Sequence, residues 1–272
     1  MMAICVVFVA QYAVAQIETD RPDFTESPNV VPKGALQIET GFMKEENKEG
    51  IDRIGPHRYY SYKDIDNYTL NTTLFRYGLL ENLELRLNMG YVRSVFTEVT
   101  KNPVGIIYQS SDTIQQGFST SFIGFKTNLY KSDKVSIGFL GHLYIPELAS
   151  GDFANIAGQR IAPEFLIPLT YNITDRFGIA VQYGLSWDGS TPNPTTSYTL
   201  SLGYGITDKL SAYVEPYGFY NPQGETTHLI NGGFTYLIND DFQVDLTGGL
   251  GLSRDAPDNF INCGASFLLF NK

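Results

Sequence analysis

Apolar and polar residues alternate along most of the chain with a period of two, which is the pattern of a half-buried β-strand. Residues 242–252 show it most clearly, because Phe242, Val244 and Leu246 are separated by polar or small residues. The alternation predicts twelve strands, at about 35–44, 67–77, 83–94, 118–130, 135–146, 161–172, 177–188, 196–206, 210–220, 227–238, 242–252 and 259–270. Each is close to the ~9–11 residues that a tilted membrane-spanning strand needs.

Short and long connections alternate between these predicted strands. Residues 132–134, 174–176 and 207–209 are tight polar turns that contain Asp, a residue that tolerates turn geometry. The predicted loops at 45–66 and 95–117 are much longer. Tight turns at one end and long loops at the other are typical of outer-membrane barrels, and an even strand number leaves both termini on the periplasmic side.

The polar face of the predicted strands is rich in Gly, Ser, Thr, Asn and Gln and carries few charges. A soluble barrel would show water a more charged exterior, and water would have to cover apolar rows such as 177–187. In lipid the apolar face points outward and the polar face lines a lumen, because only a closed barrel pairs all backbone groups. We therefore predict an all-β fold, a transmembrane up-and-down antiparallel β-barrel of about 12 strands, over a soluble up-and-down barrel.

Composition narrows the possible functions. Charged residues make up 18% of the chain, and 19 basic against 29 acidic residues give a net charge of −10. A negative net charge argues against nucleic acid as a partner, since phosphate binding needs a cationic surface. Two cysteines, Cys5 and Cys263, exclude a disulfide-stapled scaffold.

No motif predicts an enzyme, a metal site or a cofactor. The histidines His57, His142 and His228 lack the spacing of a metal motif. An outer-membrane phospholipase would need a Ser–His pair on the lipid face, and His228 has no convincing serine neighbour. Residues 248–251 are glycine-rich but precede no helix, so they are not a dinucleotide loop.

The first residues predict export. Residues 1–15 form an apolar run that ends in Ala13-Val14-Ala15, the small-x-small pattern of a signal peptide cleavage site. Because no Lys or Arg precedes Arg21, we expect the natural start to lie upstream. Lipoprotein attachment at Cys5 is disfavoured, since this cysteine begins the apolar run instead of ending it. The predicted location is the outer membrane of a Gram-negative bacterium.

Residues 16–34 lie between the export signal and the barrel, which we assign to 35–272. This stretch is rich in proline and polar residues, so it cannot form a spanning strand. One hypothesis is a plug that folds into the lumen and pairs with Arg86, Lys126 or Glu215. The charged residues of this candidate plug are Asp20, Arg21, Asp23 and Glu26. The alternative is a loose periplasmic leader.

Alternation also predicts which side chains face the lumen. The candidates for the solute path are Glu39, Arg76, Glu84, Arg86, Lys126, His142, Tyr144, Glu164, Tyr213, Glu215, Tyr217 and Asp245. Further polar residues with the same orientation are Asn88, Gln182, Asn231 and Gln243. Mixed charges in a small lumen either pair simply to be buried or form a polar constriction that selects solutes. The sequence leaves both interpretations open.

Several segments resemble a known family. They are IETDRPDFTESP at 17–28, VPKG at 31–34, LQIETGF at 36–42, FRYGLLENLELR at 75–86 and the closing strand at 260–270. In these segments the chain resembles bacterial outer-membrane transporters catalogued as "MetA-pathway of phenol degradation" proteins. The resemblance spans the predicted mature chain and implies an outer-membrane barrel that transports solutes. One departure is the tail Asn271-Lys272, since barrels often stop at the final aromatic.

We therefore predict passive passage of small solutes. The passage is either porin-like diffusion or a gated path for small hydrophobic or aromatic molecules, as Tyr144, Tyr213 and Tyr217 suggest. The alternative is a structural or surface-interaction barrel with a closed lumen, whose loops 45–66 and 95–117 meet a partner. The expected partners are outer-membrane lipid, the barrel-assembly machinery during biogenesis and a small-molecule solute.

Overall fold

The protein is described by a computed structural model. The described residues are 17–54, 59–101, 104, 107–155, 158, 160–222, 224 and 226–270. The predicted export signal at 1–15 lies outside these residues, as do His57 and the tail Asn271-Lys272.

The described residues form a 13-stranded antiparallel sheet and two short 3₁₀ helices. The strands are β1 (Leu36–Ile54), β2 (Tyr59–Leu80), β3 (Leu83–Lys101), β4 (Ile107–Phe118), β5 (Ser121–Lys131), β6 (Val135–Ile145), β7 (Ala162–Asn172), β8 (Phe177–Ser186), β9 (Thr195–Gly205), β10 (Leu210–Tyr220), β11 (Thr226–Asn239), β12 (Phe242–Gly251) and β13 (Asn259–Leu269). The 3₁₀ helices, Pro146–Leu148 and Gly151–Asn155, lie between β6 and β7. Within the described ranges, no helix has the length and apolarity to cross a bilayer.

The sheet closes on itself because β1 pairs with β13 from Leu36 to Glu46. The other strands pair with their neighbours along the chain, with one exception. The first part of β3, Leu83–Asn88, pairs with β5, and its continuation from Tyr91 pairs with β4. β4 and β5 therefore occupy one position in the ring, and the predicted twelve-stranded antiparallel barrel is confirmed.

The two ends of the barrel differ. At one end, the turn end, short connections such as 81–82, 132–134 and 240–241 join the strands. At the other, the loop end, the connections are longer and include both 3₁₀ helices. The turn end and the loop end are named in this way throughout.

The prediction of loops at 45–66 and 95–117 is wrong for most of both stretches, which form strands. The β1–β2 ladder continues to Ile54 opposite Tyr59, and the β3–β4 ladder continues to Lys101. These polar sequences do not look like spanning strands, but a sheet in water can be polar on both faces while its ladder stays paired. The extensions beyond the barrel form a hairpin arm, residues 47–54, 59–65, 96–101 and 107–113.

The barrel is apolar outside and polar inside. Ile167, Leu246 and Leu250 are about half exposed on the outer face, whereas Arg76 and Lys126 are fully buried inside. A soluble protein shows the reverse arrangement. Exposed tyrosines fit the aromatic girdles of a membrane barrel, and they are Tyr171, Tyr183, Tyr198, Tyr204, Tyr220 and Tyr236. The outer face is therefore built for lipid.

Candidate functional site

The N-terminal segment, residues 17–34, lies inside the barrel and crosses its lumen. Its first residue, Ile17, donates a hydrogen bond to the carbonyl of Asp240, and its last, Gly34, donates to that of Gly78. Both contacts are at the turn end, while the middle of the segment reaches halfway along the barrel. Three prolines keep the segment out of the strand ladder. The segment therefore forms a loop that starts and finishes at the turn end.

An apolar cluster fixes both ends of the N-terminal segment. Ile17, Val31 and Ala35 pack with Leu237 of β11 and Leu268 of β13, and all five are nearly inaccessible to solvent. Full burial of an aliphatic side chain of this size contributes roughly 1.5–3 kcal/mol. The cluster thus holds both ends of the segment against β11 and β13 at the turn end.

A group of charged residues lines the wall formed by β1, β2, β3 and β5. Arg76 donates to Glu84 and to Glu39, each at 2.8 Å, and Arg86 donates to Glu84 at 3.1 Å. Lys126 lies 3.9 Å from Glu84. Three cations thus share two wall carboxylates, so the wall on its own carries an uncompensated positive charge. Such a charge is costly to bury.

The N-terminal segment supplies the missing negative charge. The Asp20 carboxylate lies 2.7 Å from Arg86 and 3.1 Å from Arg76, and it also contacts Lys126. The Glu26 carboxylate accepts two hydrogen bonds from Arg86, each at 3.0 Å. Burial raises the pKa of the Asp20 carboxyl, but the positive charges of Arg76, Lys126 and Arg86 outweigh it and hold the pKa well below its usual range.

A single carboxylate on the opposite wall receives the middle of the segment. Glu215 of β10 accepts hydrogen bonds from the backbone amides of Phe24 and Thr25, both at 2.8 Å, and from the Thr25 hydroxyl at 2.6 Å. Asn231 donates to the same carboxylate at 2.9 Å, and the Glu26 amide donates to Gln182 at 3.0 Å. The contacts on this side are hydrogen bonds, whereas the β1–β5 wall makes both hydrogen bonds and ion pairs with the segment.

Arg21 anchors the segment between β12 and β13. Its guanidinium pairs with Asp245 at 2.9 Å and donates to Asn262 at 2.9 Å. The guanidinium lies directly over Gly41 and Gly264, which face each other across the β1–β13 ladder. A Cβ at either glycine would lie within 2.5 Å of the guanidinium, so the lack of side chains there makes room for Arg21.

An aromatic contact holds the tip of the segment. The Phe24 ring stacks on Tyr217 with 4.6 Å between centroids and meets Phe219 edge-on at 5.6 Å. Tyr217 in turn packs with Leu229 and Phe260 in a buried cluster. Phe24 is still 48% exposed, so one face of its ring borders the open space toward the loop end.

Two cavities flank the N-terminal segment. The turn-end cavity has a volume of about 410 Å³ and is bordered by Arg21, Asp23 and Tyr213 together with small residues of β8 and β9. The loop-end cavity has a volume of about 230 Å³ and is bordered by Tyr144 and Glu164 together with residues of the loop-end connections. The N-terminal segment lines the turn-end cavity, whereas the loop-end cavity is lined by the barrel wall and the loop-end connections.

The polar residues of β6 and β7 form a separate group near the loop end. His142 Nδ1 lies 2.7 Å from Glu164 Oε2, and the Tyr144 hydroxyl donates to the same oxygen at 3.3 Å. The ring of Phe122 stacks on His142 at 4.1 Å. None of these residues contacts the N-terminal segment in a hydrogen bond or an ion pair among the described residues.

The structure places the whole set of sequence-predicted lumen residues on the inward face. The fully buried members are Glu39, Arg76, Glu84, Arg86, Lys126, His142, Glu215, Tyr217 and Asp245, and the half-buried ones are Tyr144, Glu164 and Tyr213. Of the segment residues, Asp20, Arg21 and Glu26 make ion pairs, while Asp23 borders the turn-end cavity.

Sequence reasoning missed two contacts of the N-terminal segment. Neither the Arg21–Asp245 pair nor the stacking of Phe24 on Tyr217 was part of the predicted plug. The signal for Phe24 is present, since a lone aromatic in a polar, proline-rich stretch needs an apolar surface to cover it. The pairing of Arg21 follows only from the path of the segment, which alternation does not describe.

We expect Gly78→Ala to destabilise the protein by about 1–3 kcal/mol through overpacking against the N-terminal segment. A Cβ at Gly78 would lie 2.1 Å from the carbonyl oxygen of Pro32. Neither atom can turn away, because the oxygen belongs to the backbone and the Cβ is bonded directly to it. Gly203→Ala is the matched control, because a Cβ there meets nothing within 4 Å. Unfolding by guanidinium in detergent measures both variants, and equal stability losses would contradict the proposed close packing.

A closed antiparallel barrel with an apolar exterior, a polar lumen and its own N-terminal segment inside belongs to the class of outer-membrane β-barrels. The chain is a member of the family described as "Putative MetA-pathway of phenol degradation", which it matches over residues 19–269. The resemblance stated from the sequence is thereby confirmed. No curated protein sequence matches the chain.

Solved structures of outer-membrane proteins are similar to this chain at low sequence identity, and one of them shares the fold. An outer membrane channel from Pseudomonas putida F1 has a TM-score of 0.60 and 12% identity, with 93% of this chain and 100% of that chain covered. The toluene transporter TodX of Pseudomonas putida has a TM-score of 0.47 and 8% identity, with coverage of 88% and 90%. The toluene transporter TbuX of Ralstonia pickettii has a TM-score of 0.44 and 8% identity, with coverage of 88% and 90%.

Proposed function

We propose that the protein is an outer-membrane channel for passive passage of small solutes, and that the N-terminal segment is its plug. One observation carries the proposal: the charges of the lumen wall are completed by residues of a segment that lies outside the strand ladder. A wall that only had to be buried would pair its charges internally. Here Arg86 and Lys126 depend on Asp20, which a movement of the segment would withdraw.

The two cavities support a path interrupted at one level. The lumen is open on both sides of the N-terminal segment, and the inward faces of β8 and β9 carry small residues such as Gly184, Ser201 and Gly203. Solute size is therefore limited mainly at the level of Glu215 and Gln182, where the segment meets this wall. Transport fits the P. putida outer membrane channel that shares the fold.

The solute class that the lumen favours is small hydrophobic or aromatic molecules. Tyr144, Tyr213 and Tyr217 face the lumen, and Phe24 adds a partly exposed ring at the plug. A further part of the proposal is that the turn end faces the periplasm, and that the barrel-assembly machinery inserts the exported chain into outer-membrane lipid. The proposal includes no catalytic step, cofactor or nucleic-acid partner.

Swelling of liposomes that contain the purified protein tests passage directly. We expect swelling with small monocyclic solutes and progressively slower swelling as solute size increases, because the path is narrow at Glu215. Protein-free liposomes supply the background rate for each solute. The alternative is a structural barrel with a permanently closed lumen, and swelling at the background rate throughout the series would support that alternative.

A further inference from the structure

The loop-end cavity has a polar lining that the plug contacts do not explain. It lies among β6, β7 and β8, and its volume of about 230 Å³ is lined by inward residues of these strands and by Arg160 of the β6–β7 connection. Tyr144 and Glu164 supply its inward polar groups, and Trp187 borders it at the end of β8.

Glu164 and Glu215 differ from the lumen carboxylates that pair with arginine, and of these two Glu215 is covered by the N-terminal segment. Asp20, Glu39, Glu84 and Asp245 each form an ion pair with an arginine. Among the described residues, Glu164 forms none with arginine or lysine, and its side chain remains 17% exposed. Arg160 borders the same cavity but forms no ion pair with Glu164 among the described residues, so the carboxylate can accept hydrogen bonds from a ligand.

His142 and Tyr144 hold Glu164 in place from the wall. Both lie against the same oxygen, Oε2, with His142 Nδ1 at 2.7 Å and the Tyr144 hydroxyl at 3.3 Å. Phe122 supports both rings, since it stacks on His142 at 4.1 Å and meets Tyr144 edge-on at 5.3 Å. The carboxylate is therefore preorganised beside aromatic surface, which lowers the entropy cost of binding.

We propose that the loop-end cavity is a recognition site for a small monocyclic molecule that carries one hydroxyl group. The hydroxyl donates to Glu164, and the ring lies against Tyr144. The inference rests on the proposed passage function for its role, because solute captured here would then move toward the plug. The size agrees, since an apolar cavity of about 150 Å³ holds benzene and this one has room for a substituent.

The chemistry of the site predicts how it ranks ligands. A ring without a hydroxyl would displace water from Glu164 and leave the carboxylate without a replacement donor, which is costly. A ring with its own carboxylate would add a third negative charge beside Glu164 and Asp188, which, among the described residues of the cavity lining, only Arg160 opposes. The expected order of affinity is therefore benzyl alcohol first, toluene second and benzoate last.

The emission of Trp187 measures binding, because it is the single tryptophan of the chain. Full-length protein in detergent is titrated with benzyl alcohol, toluene and benzoate at equal detergent concentration. We expect a saturable change with benzyl alcohol and an affinity for toluene lower by at least about tenfold. No saturable change with benzyl alcohol, or equal affinity for toluene, overturns the proposal.

Paired variants test the role of Glu164 itself. Glu164→Gln removes the charge. We expect it to lower the affinity for benzyl alcohol by about fivefold to tenfold and to leave the affinity for toluene unchanged. Glu147→Gln is the matched control, since Glu147 lies nearby in an exposed position outside the cavity lining. Circular dichroism verifies the β-sheet content of both. Equal affinities of the two variants for benzyl alcohol overturn the assignment.

These measurements can contradict the recognition site and the channel function independently of each other. Saturable binding without liposome swelling would sustain the recognition site and contradict the channel. Swelling with monocyclic solutes but no discrimination by Glu164 would sustain the channel and contradict the recognition site.

Discussion

Deletion of residues 17–33 is expected to raise single-channel conductance in planar bilayers by at least about tenfold, because a barrel of this strand number has an interior wide enough to conduct once its filling is removed. The N-terminal segment fills the lumen between the two cavities and binds both walls. Without it, water and ions have a continuous path past Glu215 and Asp245.

The control for this experiment is a second deletion of similar length outside the lumen. Replacing residues 47–65 by a short turn removes one hairpin of the arm and leaves the barrel ladder from Leu36 to Glu46 intact. That variant should conduct like the intact protein. If the deletion of 17–33 also conducts like the intact protein, the segment is not what limits the conductance of the lumen.

Asp20→Ala is expected to lower the free energy of unfolding by about 3–5 kcal/mol, the typical cost of removing one partner from a buried ion pair. The carboxylate is shared by Arg76, Arg86 and Lys126, all of them buried, so its loss leaves positive charge without compensation. Guanidinium unfolding in detergent, followed by circular dichroism, measures the change.

Glu18→Ala provides the comparison for Asp20. Glu18 lies in the same segment but is exposed, and its carboxylate accepts only from Ser27 and Asn29 among the described residues. Loss of such exposed contacts costs up to about 1 kcal/mol. Similar destabilisation by both substitutions would show that Asp20 does not balance the wall cations.

Acid should release the N-terminal segment only at low pH. The cations around Asp20 hold its pKa well below the usual range, so its contribution to stability is complete above the ordinary carboxyl pKa and is lost as the pH falls through the lowered value. Conductance of the intact protein should therefore stay low at pH 5 and rise below about pH 4. A rise in conductance already between pH 7 and pH 5 would contradict this assignment.

The barrel and its lumen lining could be predicted from the sequence because one physical rule sets both. In lipid the side chains of a strand alternate strictly between acyl chains and lumen, so Glu84 and Arg86 face inward wherever their partners lie. The same rule places Glu215 and Asp245 correctly. Alternation with a period of two thus determines which side chains of a strand face the lumen, without knowledge of the neighbouring strands.

The contacts of the N-terminal segment could not be predicted in the same way. Its prolines exclude a regular ladder, so no period relates Asp20 to Lys126 or Arg21 to Asp245. Which cation meets which carboxylate depends on the stagger between strands and on the course of an irregular chain. The prediction of loops in place of the hairpin arm failed for another reason. Strands that extend beyond the bilayer need not alternate between apolar and polar residues.

The hairpin arm makes the rim at the loop end asymmetric, because the strands are longest on one side of the barrel. β2 has 22 residues, or about 70 Å of extended chain, which is twice the length of a typical spanning strand. About a third of β2, residues 59–65, therefore extends beyond the rim of the barrel on one side. An epitope inserted between Ile54 and Tyr59 would be stained by antibody on living cells if this rim faces the medium, and only after lysis if it faces inward.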